Sequence, residues 1–237
     1  MAALAAGQIS LSDSIPCMDG RYVYKNIKCP LDKHATKDHY PSGYIGVEEG
    51  LKISSNHVFR YIGGECFGKS NREIRKYLSL LESYNLFADF DFDINGLAKC
   101  SVKDPCSSGE ALTLPMIAMG YDMATTPVHL LCFYNAIANG GRQMKPYMID
   151  SYMREGETVR KFEPQVLNPS ICKKSTADSL TRALRKVTGE MGGTGYWAFR
   201  GAKCPVAGKT GTACIAYKSE RTGKTTFSDD RVSHYIQ

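Results

Sequence analysis

A pattern that could bind a peptide carboxylate occurs near the end of the chain, at Lys209, Thr210, Gly211 and Thr212. The lysine supplies a positive charge and either threonine supplies a hydroxyl donor, while the glycine lets another backbone come close. Short apolar runs on both sides predict a strand, to whose edge an extended peptide could add itself through main-chain hydrogen bonds. We therefore predict that these four residues bind substrate; an ordinary lysine-threonine turn is the alternative.

A second polar group lies at Ser54, Ser55 and Asn56, where a predicted helix over 47–53 gives way to a loop. At such a transition Ser54 and Asn56 can point into one cleft. The hydroxyl could relay a proton, and the amide could hold a substrate carbonyl or N–H group. We predict Ser54 and Asn56 as catalytic residues; the alternative is that the three residues only cap a helix.

Helices and strand pairs alternate along the chain and would position these groups. Ser70 and Glu73 form a predicted capping box, and Thr126 with Pro127 is typical of a helix start. The predicted elements are a helix over 70–86, a helix over 126–139 ended by two glycines, strands near 147–152 and 158–162, a helix over 176–187 and a glycine-rich loop over 189–195. Because the strands are short and hairpin-like, we predict an α+β fold with a mainly antiparallel sheet flanked by helices.

Both ends of the chain lack an expected signal. Residues 1–7 resemble the last turns of a helix that Gly7 ends, with no capping residue at its start. Residues 232–237 open a strand pattern that stops. We expect a single partial domain over 1–237, truncated at both ends, and an unpaired sheet edge that favours aggregation.

Composition excludes several classes of function. The chain has 237 residues, of which 43% are hydrophobic and 23% charged, as in ordinary globular domains. Its net charge of +6 comes from scattered basic residues, which argues against nucleic acid as a partner. No apolar run reaches the length of a membrane span, and no secretory signal is present.

The nine cysteines and five histidines do not predict a metal site or a cofactor. No cysteine pair has Cys-x-x-Cys spacing, and no histidine pair has ligand spacing. Cys17 and Cys29 flank a predicted hairpin and could form a disulfide, although free thiols are equally compatible, and Cys132 is predicted to lie in the core. The aromatic residues 196, 197 and 199 are predicted to pack rather than to bind a cofactor.

The order of the two polar groups resembles a known family. Ser-x-Asn followed by Lys-Thr-Gly, with 155 positions between Ser54 and Lys209, is similar to two of the signature motifs of penicillin-recognising serine enzymes. The similarity extends over nearly the whole chain, through residues 1–7, 126–141, 145–146, 193–195 and 207–213. It is strongest to the transpeptidase domain of division-type class B penicillin-binding proteins.

The resemblance implies a peptidoglycan D,D-transpeptidase that acts through an acyl-serine. Ser54 would then pass a proton to the leaving group, and Asn56 would hold the substrate amide. Lys209 with Thr210 or Thr212 would bind the terminal carboxylate of a stem peptide or of a β-lactam, and the backbone near Thr212 would give an oxyanion-hole N–H. Membrane proteins of the division complex are the implied partners. The implied location is the extracytoplasmic face of a bacterial membrane, through an upstream anchor.

The third family motif, Ser-x-x-Lys, is absent from the position where the family has it, which is before residue 1. The sequence matches it at Ser170 with Lys173, but this match lies after Ser54 and in a polar connection, so we do not assign it as the nucleophile. We expect the chain by itself not to acylate. A serine β-lactamase, a D,D-carboxypeptidase, and a non-catalytic β-lactam sensor or division scaffold are the alternative functions.

Overall fold

The computed structural model describes residues 1–237 except 18, 90, 94, 219–224 and 235–237, and from residue 213 onward it describes only the backbone. Its helices are α1 (Ala2–Ala5), α2 (Val47–Lys52), α3 (Asn56–Phe67), α4 (Asn71–Ser83), α5 (Thr113–Ala118), α6 (Pro127–Ala138), α7 (Lys174–Gly189) and α8 (Tyr196–Phe199). Its strands are β1 (Ser14–Pro16), β2 (Val23–Tyr24), β3 (Ile27–Lys28), β4 (Tyr44–Gly46), β5 (Ser101–Val102), β6 (Met123–Ala124), β7 (Gln143–Met144), β8 (Ser151–Arg154), β9 (Glu157–Lys161), β10 (Val166–Asn168), β11 (Gly211–Lys218) and β12 (Thr225–His234).

All pairing among these strands is antiparallel, in the pairs β1–β4, β2–β3, β5–β6, β7–β10, β8–β9 and β11–β12. The predicted α+β class and the antiparallel pairing are confirmed. Within the described part of the chain the strands pair two by two, so the structure has six small ladders in place of one wide sheet.

Two apolar clusters form the core. The larger cluster joins side chains of α1, α3, α4, α6 and α7 with the β2–β3 hairpin. The smaller one lies beneath the β1–β4 pair, where Ile15 and Ile45 pack on Val47 of α2 and Val58 of α3. Burial of these side chains provides the main driving force for folding and fixes α2 against α3. The short connection between α2 and α3 carries Ser54.

The predicted helix starts are confirmed. The Ser70 Oγ accepts a hydrogen bond from the Glu73 N–H at 3.3 Å, and α4 begins at Asn71. The helix ends at Ser83, three residues earlier than predicted, because Asn85 takes a left-handed conformation (φ 54°).

The helix predicted to begin at Thr126 and Pro127 is also confirmed. The Thr126 Oγ1 accepts from the His129 N–H at 3.4 Å, Pro127 is the first helical residue, and α6 ends just before Gly140 and Gly141, which both have positive φ. Helix α7 begins two residues earlier than predicted, and the predicted hairpin near 147–162 is β8–β9. Cys132 is buried on α6, as predicted.

The helix predicted to end at Gly7 is α1. The Gly7 N–H donates to the Leu4 carbonyl at 3.1 Å and the Gln8 N–H to the Ala3 carbonyl at 2.9 Å, with Gly7 at φ 67°. This pattern closes the helix with a glycine in the left-handed conformation. At the other end of the chain, residues 232–234 belong to β12, and 235–237 lie outside the described residues.

Of the two possibilities left open for Cys17 and Cys29, the structure has free thiols, since Cys17 packs in the smaller cluster and Cys29 in the larger one. The packing predicted for Trp197 is wrong. Trp197 is 74% exposed, and its ring contacts only neighbours on its own segment, the Tyr196 ring and the Arg200 guanidinium. Tyr196 and Phe199 are half-buried, as packing residues would be.

In the described part of the chain, every helix is too short or too polar to cross a membrane.

Candidate active site

Ser54 lies at a helix end where glycine is the usual residue. Its N–H donates to the Leu51 carbonyl at 3.3 Å, and the next N–H, of Ser55, donates to the Gly50 carbonyl at 2.8 Å. This pair of bonds closes α2 and requires a left-handed residue, and Ser54 has φ 59°. A side chain in this conformation costs about 1 kcal/mol, because only glycine adopts it freely.

Lys209 contacts that hydroxyl. Its Nζ donates to the Ser54 Oγ at 2.6 Å and to the carbonyl of Thr210 at 2.9 Å. Burial of the amine lowers the pKa of Lys209 to about 8, because the charged form loses solvation. The ammonium is therefore still charged at neutral pH but can give up its proton more readily than a surface lysine.

Helix α7 contacts the segment that carries Lys209 through a backbone hydrogen bond. The Gly208 N–H donates to the Leu184 carbonyl at 3.3 Å. Lys209 and Thr210 precede β11, which begins at Gly211, so the prediction that all four residues lie on the strand is wrong for the first two. The Lys209 side chain folds back onto the Thr210 carbonyl and onto Ser54 beside the strand.

Thr194 connects the two halves of the site. Its Oγ1 lies 2.6 Å from the Thr210 Oγ1, and its N–H donates to the carbonyl of Lys52 in α2 at 3.3 Å. The loop between α7 and α8 thus spans from the end of α2 to the lysine segment. Sequence reasoning did not predict Thr194 as a site residue, although the glycines on both sides of it gave a signal that the loop runs close to another backbone.

Ser55 and Asn56 differ in their surroundings. The Ser55 Oγ accepts from the Val58 N–H at 3.2 Å and donates to Asp32 Oδ2 at 2.8 Å, so for Ser55 the capping alternative is correct. Asn56 is the first residue of α3 and is exposed. Its amide has no hydrogen-bond partner among the described residues, which leaves both of its polar atoms for a ligand.

Gly211 and Thr212 lie at the exposed start of β11. Along one edge this strand pairs with β12, with Gly211 opposite His234 and Thr212 opposite Ser233. No described strand pairs with its other edge. That edge can accept an extended peptide through main-chain hydrogen bonds.

The geometry therefore brings Ser54, Lys209, Thr210 and Thr194 together and leaves Asn56, two residues after Ser54, exposed. Because the Ser54 Oγ accepts from the lysine, its own hydrogen is available for a substrate atom. A cation, a relaying hydroxyl and an open strand edge are the groups that bind a peptide carboxylate and move a proton at the neighbouring bond.

The second Ser-x-x-Lys match is a turn. The Ser170 N–H donates to the Asn168 Oδ1 at 2.9 Å, its hydroxyl donates to the Cys172 carbonyl at 3.1 Å, and Lys173 lies outside the first turn of α7. Serine and lysine therefore do not share a helix face. This agrees with the interpretation that Ser170 is not the nucleophile.

The four histidines whose side chains the structure describes are either exposed or lie against a backbone carbonyl. His34 and His39 lie on the surface, whereas the His57 Nε2 lies 2.7 Å from the Pro16 carbonyl and the His129 Nε2 lies 2.8 Å from the Ala88 carbonyl. The described residues contain no group of three or more His, Cys, Asp or Glu side chains that could hold a metal ion.

The fold, with Ser54 and Lys209 in contact, agrees with the resemblance to penicillin-recognising serine enzymes. Residues 1–230 match the model of the family described as the penicillin-binding protein transpeptidase domain, and the chain belongs to that family. The predicted family and fold are thereby confirmed.

Known relatives agree with this assignment. The chain is 28% identical over 220 residues to penicillin-binding protein 2A of Bacillus subtilis, which covers 86% of this chain and 30% of that protein. It superimposes with a TM-score of 0.74 on penicillin-binding protein 2B of Streptococcus pneumoniae strain R6, at 20% identity over 95% of this chain and 39% of that one. The D,D-transpeptidase domain of a peptidoglycan glycosyltransferase from Eggerthella lenta gives a TM-score of 0.73 at 24% identity, over 90% of this chain and 51% of that one. The chain thus spans about a third to a half of the length of these relatives.

Proposed function

We propose that these residues form the substrate-binding half of a peptidoglycan D,D-transpeptidase site. Lys209, with Thr210 and Thr212, binds the terminal carboxylate of a stem peptide or the carboxylate of a β-lactam. Ser54 relays a proton, and Asn56 holds the substrate amide. The single observation that carries the proposal is the 2.6 Å contact between the Lys209 Nζ and the Ser54 Oγ, which joins two groups 155 residues apart.

We propose the following reaction at these positions. The stem peptide lies along the open edge of β11, with its last carboxylate on Lys209. A Ser-x-x-Lys serine attacks the carbonyl between the last two D-alanines while the lysine of that motif takes its proton, and a backbone N–H near Thr212 stabilises the oxyanion. The C–N bond breaks as Ser54 donates its proton to the leaving D-alanine amine and takes one from the lysine of the Ser-x-x-Lys motif, while Lys209 keeps its charge on the carboxylate. The amine of a second stem peptide then displaces the serine and forms the crosslink.

We further propose that the protein acts at the extracytoplasmic face of a bacterial membrane together with membrane proteins of the division complex. The resemblance to division-type class B proteins supports this assignment. The solved relatives include a ceftriaxone acyl-enzyme complex of penicillin-binding protein A from Mycobacterium tuberculosis, with a TM-score of 0.73 at 19% identity over 90% of this chain and 45% of that one. That complex supports β-lactam binding by this fold.

The test is acylation of the complete gene product by a fluorescent penicillin. Lys209→Ala should slow acylation by about 100-fold, because it removes the charge that pairs with the penicillin carboxylate. Lys203→Ala is the matched control: it removes an exposed lysine on the same segment and should leave the rate unchanged. Melting temperatures of both variants separate loss of binding from loss of structure.

Mass spectrometry identifies the acylated residue. We expect one adduct, on the serine of a Ser-x-x-Lys motif other than Ser170, and no adduct on the 237-residue chain by itself. An adduct on Ser170 would contradict the proposal. So would a fall in the melting temperature of Lys209→Ala large enough to account for its slower acylation. Rapid release of hydrolysed penicillin would instead identify a β-lactamase, and absence of any adduct in the complete gene product would favour a scaffold.

A further inference from the structure

Asp32 is a buried carboxylate that contacts the Ser54–Asn56 turn from a different part of the chain. It is only 6% exposed. Its Oδ2 accepts from the Ser55 Oγ at 2.8 Å and from the His57 N–H at 3.0 Å, while its Oδ1 accepts from the His34 N–H at 3.1 Å. Two of these three donors belong to the connection between α2 and α3 or to the first turn of α3.

Two side-chain acceptors bind N–H groups in the first turn of α3. The His57 N–H has no partner inside the helix and donates to Asp32, and the Val58 N–H donates to Ser55. A carboxylate at this position also interacts favourably with the positive end of the helix. Asp32 therefore fixes both the start of α3 and the Ser55 side chain.

Ser54 is held between this fixed start and the end of α2. Its left-handed conformation (φ 59°) is unfavourable for a serine, so it persists only if both flanks are constrained. The α2 side is constrained by the bonds of the Ser54 and Ser55 amides to α2 carbonyls. On the α3 side the constraint comes from Asp32.

The loop that carries Asp32 is itself anchored. The Asp32 N–H donates to the Gly20 carbonyl at 2.8 Å, and the Ala35 N–H donates to the Asp32 carbonyl at 3.2 Å. The buried guanidinium of Arg60 on α3 donates to the Pro30 carbonyl at 2.7 Å. The carboxylate thus cannot move away from α3 without breaking contacts on both sides.

We propose that Asp32 is a positioning residue for Ser54: by holding Ser55 and the start of α3, it keeps the Ser54 hydroxyl against the Lys209 amine. The proposal rests on the proposed function only in treating Ser54 as the residue that relays the proton. Asp32 itself does not touch the substrate.

The test measures the environment of Lys209 directly. Competitive acetylation of the complete gene product between pH 6 and pH 11, read from peptide masses, gives the pH at which the Lys209 amine becomes reactive. In the parent this midpoint should lie near 8. In Asp32→Asn it should rise by about one pH unit, because an amine no longer covered by Ser54 regains water. The amide keeps the size of the carboxylate but has one acceptor oxygen in place of two, so its N–H₂ group must face either the His34 N–H or the Ser55 and His57 donors.

Two matched variants separate positioning from general weakening. Asp38→Asn removes a charge from an exposed position of the same loop and should leave the Lys209 midpoint in place. Leu81→Ala opens a cavity in the larger core cluster and should lower the melting temperature without moving the midpoint. A shift in Leu81→Ala as large as that in Asp32→Asn would overturn the proposal, as would an unchanged midpoint in folded Asp32→Asn.

If Asp32→Asn does not fold, Ser55→Ala serves in its place, since it removes one bond to Asp32 and keeps the carboxylate. It should raise the midpoint by a smaller amount, and an unchanged midpoint would overturn the proposal. Penicillin acylation is followed in the same samples. If penicillin does not acylate the parent but the variant shifts the Lys209 midpoint, the proposed function is wrong and the role of Asp32 stands. If the variant slows acylation but leaves the Lys209 midpoint unchanged, the proposed function stands and the role of Asp32 is wrong.

Discussion

The starts of α3 and α6 use the same local chemistry. Ser55 and Thr126 each precede a helix, and each accepts a hydrogen bond from the amide three residues later, at 3.2 Å and 3.4 Å. A buried histidine lies in the first turn of both helices, His57 at 3% and His129 at 1% exposure. Local sequence therefore predicts two equivalent caps.

The caps differ in where the hydroxyl hydrogen goes. The Thr126 Oγ1 lies 2.7 Å from the Nδ1 of His129, on its own helix. Ser55 donates to Asp32, 23 residues away, and follows a residue in a left-handed conformation. A cap completed within its own helix stabilises that helix. The Ser55 cap instead depends on the distant carboxylate of Asp32. Because it adjoins the strained Ser54, it also fixes the position of that side chain.

The strongest test of this difference compares Ser54→Ala with Thr126→Ala in penicillin acylation. Loss of the relaying hydroxyl should slow acylation of the complete gene product by about 100- to 1,000-fold. Loss of the α6 cap should leave the rate within about threefold, because Thr126 only stabilises its helix. Stopped-flow fluorescence with a labelled penicillin measures both rates. A large effect of Thr126→Ala would remove the distinction between the caps.

The next test compares the stability of Ser55→Ala and Thr126→Ala. Ser55→Ala should lower the free energy of unfolding by about 2 to 3 kcal/mol, because it removes a cap and also a donor to a buried carboxylate. Thr126→Ala should lower it by about 1 kcal/mol, since the Cys100 thiol remains 3.5 Å from the His129 Nδ1. Urea denaturation gives both values, and equal losses would count against a special role for Ser55.

Lys209, which contacts Ser54, makes the stability of the folded chain depend on pH. Its pKa is about 8 in the folded chain and that of an unfolded lysine is about 10.4, so between these values the unfolded state holds more protons and stability rises with pH. Lys209→Met should therefore exceed the parent in stability by about 1 to 2 kcal/mol at pH 7, with the difference shrinking as pH rises toward 10. Denaturation at pH 7 and pH 10 measures this. A difference that does not change with pH would mean that the folded lysine keeps its ordinary pKa.

The smallest effect isolates the strain at Ser54. Ser54→Gly and Ser54→Ala both lose the hydroxyl, but glycine adopts the left-handed conformation freely, so the glycine variant should be more stable by about 1 kcal/mol. At Thr125, the residue before the α6 cap, the backbone does not have a positive φ, and there glycine should be less stable than alanine. Melting temperatures of the four variants test both signs.

Local patterns in the sequence predicted most helices, the β2–β3 and β8–β9 hairpins, and the Ser54 and Lys209 positions, because caps, periodicity and motifs are encoded within a few residues. Asp32 and Thr194 were missed because their role comes from loops that reach the site only through tertiary packing. Spacing alone also left the state of Cys17 and Cys29 open, because only tertiary packing places them in separate clusters.

The exposed ring of Trp197 can serve as an intrinsic fluorescence probe of the candidate site. It is the single tryptophan of the chain, it lies three residues after Thr194, which contacts Thr210, and the Arg200 guanidinium lies 5.3 Å from its ring centre. Because the ring is exposed, we expect its emission to change when a ligand at Lys209 rearranges the loop that spans α2 and the lysine segment. Such binding could then be followed without attaching a dye.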